Sequence, residues 1–157
     1  MRNIHFIALE TKLAEAWRAG APDANGQAPE RRISDGSGVG VPCRHCLRHV
    51  AAGEPYLVLA HRPFATLQPY AEVGPIFIHA EACARGGGGD LPTMFASPSY
   101  IVRGYGADDR IVYGTGGVVE TETITERAAA LLARDDIAYV HTRSAANNCF
   151  HCRVENV

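Results

Sequence analysis

The side chains with the most chemistry to offer are thiols and imidazoles at short spacing. Cys43-Arg44-His45-Cys46 and Cys149-Phe150-His151-Cys152 are both Cys-x-x-Cys pairs with histidine in the third place. A tight turn over such a pair points both sulfurs the same way, so each pair can supply half of a tetrahedral ligand set. Convergence of the two pairs would make a four-thiolate zinc site from Cys43, Cys46, Cys149 and Cys152. Such a site is structural, because four thiolates leave no coordination position for water. A rival set joins Cys43 and Cys46 to His79 and Cys83, which stand at i, i+4 as on one helical face. The blander reading makes His79 a strand-end histidine bonded to backbone and Cys83 a small packed side chain.

Other chemistry competes for the same residues. Cys43 and Cys46 can be read as the dithiol of a thiol–disulfide oxidoreductase, with Arg44 and His45 making the first thiol acidic. That chemistry normally follows a strand and opens a helix, whereas residues 36–42 form a glycine-rich loop. A metal-free domain with reduced, packed thiols is the third possibility. Away from the cysteines, His61, Arg62, Tyr70 and Glu72 bracket a proline-rich loop and are candidates for a small-anion pocket, with Arg62 as a bidentate clamp. No catalytic residue is assigned, and enzymatic activity is left open. The chain has no nucleophile-elbow serine and no His-Glu-x-x-His. Asp108-Asp109 reads as an exposed turn, and Gly114-Thr115-Gly116-Gly117 lacks the lysine and helix of a phosphate cradle.

These residues need a scaffold, and the composition is that of an ordinary globular domain. The 157 residues are 46% hydrophobic and 20% charged, which implies a single domain over 1–157, with 21–41 as a surface connection. A net charge of −2 gives no general attraction to nucleic acid or to a membrane surface, so an unknown small molecule or protein is the expected partner. No apolar run reaches the length of a membrane span, and the apolar stretch 4–9 ends too soon for a secretory signal, so the expected location is cytoplasmic.

Strands are expected at 3–9, 31–34, 56–61 (central), 76–79, 100–105, 111–113, 137–141 and 150–154. A short helix is expected at 11–19 and the main helix at 123–133, where Ile124, Ala128, Leu131 and Leu132 form an apolar stripe and Thr123 and Thr125 are candidate N-caps. A helical turn is expected at 80–84, a hairpin around Gly106-Ala107-Asp108-Asp109, and a flexible connection at 86–89. The class is α+β: mainly antiparallel sheet, one main helix and long irregular loops.

Several stretches resemble the bacterial family called domain of unknown function 1203. They are Pro42-Cys43-Arg44-His45-Cys46, residues 57–64 (LVLAHRPF), 68–80 (QPYAEVGPIFIHA), 104–116 (GYGADDRIVYGTG) and 143–149 (RSAANNC). The resemblance runs from about residue 40 to the C-terminus. It implies membership of a family without an assigned activity, and so brings no substrate.

Overall fold

The computed structural model describes residues 3–157. Its elements in chain order are β1 (Ile4–Ile7), α1 (Thr11–Arg18), β2 (Glu30–Ile33), β3 (Val41–Pro42), β4 (His49–Val50), β5 (Pro55–His61), β6 (Gly74–His79), β7 (Gly87–Gly88), β8 (Ser99–Tyr105), β9 (Gly117–Glu120), α2 (Ile124–Leu132), β10 (Tyr139–Ser144) and β11 (Phe150–Asn156). The strands form a six-stranded sheet in the order β7-β1-β11-β10-β8-β9, a three-stranded sheet β2-β5-β6 and the hairpin β3-β4. Neighbouring strands in each sheet are antiparallel. The α+β expectation holds, with α1 as a second, shorter helix beside the main one.

Period-2 alternation sends side chains of the large sheet to opposite faces. Phe6, Val102, Val140 and Val154 meet Ile124, Ala128, Leu131 and Leu132 of α2 in one core. Burying each large aliphatic contributes about 1.5–3 kcal/mol, so this stripe fixes α2 more firmly than any cap could. Thr123 indeed makes no side-chain cap; its hydroxyl donates to the Glu120 carbonyl at 2.8 Å. Tyr139 belongs to another cluster with Phe64 and Tyr105. The third core joins Ala14 and Trp17 of α1 to Leu57, Leu59, Ile76 and Ile78 of the small sheet, and it also takes in Cys43 and Cys46.

Four local expectations are corrected. Residues 80–81 bend and 82–84 are irregular, so no helical turn forms there. Ile111 makes a single bridge to Tyr105, and β9 instead of 111–113 pairs with β8. Residues 86–89 are no flexible connection: β7 pairs with β1, and the Gly86 N–H donates to the His45 carbonyl at 2.8 Å. A Cβ on Gly86 would sit 2.1 Å from the Cys46 carbonyl oxygen, so only glycine allows this approach. Finally, Asp109 is buried at φ 63°. It accepts hydrogen bonds from the Tyr139 hydroxyl at 2.9 Å and from the Thr66 hydroxyl and N–H at 2.8 and 3.1 Å. The tip read as a solvated turn thus pins the 62–73 loop to the large sheet.

Candidate metal centre

The hairpin β3-β4 presents the first thiol pair. Between its strands the Cys43 N–H donates to the Arg48 carbonyl at 2.8 Å and the Leu47 N–H to the Cys43 carbonyl at 2.9 Å, which closes a tight turn. Leu47 takes φ 60°, the left-handed conformation that glycine usually supplies, at a cost of about 1–2 kcal/mol. Its side chain explains the choice: Leu47 is 2% exposed, in the core with Phe6 and Met94. The strain is offset by burial, and the pair is held without glycine.

β6 lies against this turn. Cys43 bridges Phe77, and the Arg44 N–H donates to the Phe77 carbonyl at 3.0 Å, which brings His79 alongside. The loop after β6 then returns Cys83. The ligand atoms of Cys43, Cys46, His79 and Cys83 all lie within 4.8 Å of one another. Sulfurs about 2.3 Å and a nitrogen about 2.0–2.1 Å from one tetrahedral centre would be about 3.8 Å apart for two sulfurs and about 3.5 Å apart for sulfur and nitrogen. The observed separations are 4.0 Å for Cys43 Sγ to Cys83 Sγ and 3.4 Å for Cys46 Sγ to His79 Nδ1. A tetrahedral ion fits with little movement.

The surroundings are those of a ligand set. The His79 N–H donates to Cys43 Sγ at 3.3 Å and the Arg18 guanidinium to Cys83 Sγ at 3.2 Å. His45, the third residue of the motif, is fully buried, with Nδ1 3.1 Å from Cys83 Sγ and Nε2 2.8 Å from the Thr11 hydroxyl. The far nitrogen of His79 lies 3.6 Å from the Glu54 carboxylate, the partner that commonly orients a metal-binding imidazole. Hydrogen bonding from Cys46 and Cys83 pulls the Cys43 pKa below that of an ordinary thiol, while the same contacts with Cys43 push the Cys46 and Cys83 thiols up. A site that already favours one thiolate needs fewer protons displaced by a cation.

The second pair does not join the first. Cys149 is half-buried with its sulfur 3.7 Å from the Asn147 carbonyl, and Cys152 is 1% exposed in the α2-side core, 3.5 Å from the Ile7 carbonyl. The four-thiolate expectation is therefore replaced by the rival Cys3His set. The physical reason lies in the backbone: Cys152 sits inside the extended strand β11 and Cys149 just before it, so no tight turn gathers the two sulfurs. A register shift between Thr142 and Arg143 on the facing strand adds a bulge at the same place. Burial pushes the Cys152 thiol up to about 12, which suits an inert packed side chain. The helical argument for His79 and Cys83 also fails, since a strand end and a bent loop carry them.

The sequence model of a protein of unknown function, DUF1203, matches residues 40–156. The chain belongs to the DUF1203 family. Neither a curated protein nor a solved structure matches it. In this DUF1203 member the matched region contains every residue of the Cys3His group.

The four residues expected at an anion pocket part company. His61 and Arg62 line a cavity of about 560 Å³ with Arg85, His141 and Arg153, but Glu10 and Glu155 share its wall, and Glu155 pairs with Arg153. Tyr70 is outside it, its hydroxyl 2.7 Å from that of Tyr113. Glu72 is also outside, bound to Arg143 at 2.9 Å and 3.7 Å from Arg103. Both act as surface ties for the 62–73 loop. Among the described residues no helix is long and apolar enough to cross a membrane.

Proposed function

We propose that Cys43, Cys46, His79 and Cys83 bind one zinc ion structurally, and that the protein is a binding or scaffolding domain built around it. The observation that carries this reading is the convergence of four ligand atoms within 4.8 Å from the β3-β4 turn, the end of β6 and the loop beyond it. Three sulfurs and one imidazole nitrogen favour zinc over the harder divalent ions, which take oxygen ligands. With four protein ligands no position is left for water, so the ion would supply folding energy and no hydrolytic step. It would also join the small sheet to the hairpin, beside the core they share. The thiol–disulfide alternative lacks support, because the Cys43–Cys46 turn joins two strands and does not open a helix.

The test is metal content. Protein purified without added metal should carry about one zinc per chain. His79→Ala and Cys83→Ser should each lower that occupancy severely at equal chelator challenge, whereas Cys149→Ser should keep it. Full occupancy in the first two variants would overturn the assignment.

A further inference from the structure

The metal site uses none of the C-terminal motif, yet Cys149 and His151 face a second cavity, of about 440 Å³. Its wall is drawn from the β3-β4 hairpin, β6, the 94–100 segment and the turn before β11. That volume is in the range that holds a small organic ligand. No aspartate or glutamate lines it.

The positive charge in the wall is Arg44, which is 2% exposed. Its Nε donates to the Phe150 carbonyl at 2.8 Å and Nη1 to the Pro42 carbonyl at 2.6 Å, while its carbon lies 5.7 Å from the Phe77 ring centre. Among the described residues it forms no ion pair with a carboxylate. A guanidinium has five N–H donors, and two carbonyls leave several of them for another acceptor. Burying such a charge is expensive unless an anion and further hydrogen bonds accompany it. A guanidinium keeps its charge at neutral pH.

The neighbouring donors are likewise uncommitted. His49 Nε2 is buried with no partner among the described residues. Its ring lies close against Gly40, where an added Cβ would be 3.0 Å from it. Tyr100 accepts from the Ser97 N–H at 3.0 Å and keeps its own hydroxyl proton for another acceptor. Phe77, Met94, Pro42 and Pro75 give the wall an apolar side, while Ser97, Ser144, Asn147 and His151 add polar groups.

We infer that this cavity binds a small organic acid, its carboxylate on Arg44 with help from His49, and its apolar body against Phe77 and Met94. A planar guanidinium matches a carboxylate in bidentate geometry, which favours this class over a compact inorganic anion. The inference does not depend on zinc.

Calorimetric titration of the full chain tests it, with benzoate as probe, benzamide as its neutral counterpart and inorganic phosphate as the compact anion. Benzoate should bind saturably and at least tenfold more tightly than either. Arg44→Met should weaken benzoate at least tenfold. Should that variant fail to fold, Asn147→Trp decides the matter: it plugs the cavity from an exposed position and should abolish binding. Arg62→Met, in the other cavity, should leave benzoate unchanged. The inference is overturned if benzoate does not bind the wild type, if benzamide or phosphate binds as tightly, if Asn147→Trp has no effect, or if Arg62→Met is the variant that removes binding.

Discussion

Replacing Cys83 and Cys149 by serine, one at a time, separates the two ways in which the thiols of this chain can be grouped. A ligand that binds the folded state alone adds RT ln(1 + [L]/Kd), about 4.1 kcal/mol when free zinc stands at a thousand times Kd. In a domain of this length 1 kcal/mol shifts Tm by roughly 2–4 °C, so buffered zinc should raise the wild-type Tm by roughly 8–16 °C over a chelated sample. Cys83→Ser keeps an acceptor for Arg18 and His45, at 3.2 and 3.1 Å in the native protein, so the apo form should change little while most of the zinc-dependent shift disappears. Cys149 touches a single carbonyl through its sulfur, so Cys149→Ser should keep the full shift and alter stability by no more than about 0.5 kcal/mol. The assay is thermal unfolding followed by circular dichroism, each variant in zinc buffer and in chelator. A zinc shift that survives in Cys83→Ser and vanishes in Cys149→Ser would refute the reasoning.

Other expectations concern the framework. Asp109→Asn keeps the left-handed backbone that asparagine tolerates but faces an amide toward the donors of Thr66 and Tyr139; urea unfolding should show a loss of about 2–4 kcal/mol. Burial lowers the pKa of His61 to about 4 and of His151 to about 3, and holds that of His141 well below its usual value. The unfolded chain therefore takes up protons near pH 6.5 that the folded chain refuses. Stability of the chelated protein should be full above that pH and fall below it, by at most about 1.4 kcal/mol per pH unit for each histidine. Urea midpoints at pH 7.5 and 5.5 check this, and equal midpoints would contradict it. Leu47→Gly relieves backbone strain of about 1–2 kcal/mol but loses a fully buried side chain worth about 2–5 kcal/mol; the net result should be destabilisation with zinc still bound, read by unfolding and metal analysis together.

Much of the scaffold was readable from pattern. Ile124, Ala128, Leu131 and Leu132 repeat at helical spacing and form the buried face of α2, and the alternation in 100–105 is that of β8. The Cys43–Cys46 turn was readable too, since two thiols at that spacing suggest one ion whatever completes the set. The partner ligands were not. Choosing between Cys149 with Cys152 and His79 with Cys83 depends on whether each pair turns or extends, and the strand with its bulge at 150–152 arises from pairing with β10, a long-range fact. Asp109 was misread because a carboxylate at a hairpin tip looks the same whether water or the Tyr139 hydroxyl faces it. Arg44 drew notice only as a neighbour of thiols, while its burial beneath a cavity comes from the packing of four distant segments.

X-ray absorption at the zinc edge, on protein carrying one zinc per chain, tests the central claim most directly. The account predicts a first shell of three sulfurs at about 2.3 Å and one imidazole nitrogen at about 2.0–2.1 Å, converting to a mixed shell with fewer sulfurs in Cys83→Ser. A shell of four sulfurs, or one dominated by oxygen and nitrogen, would contradict it.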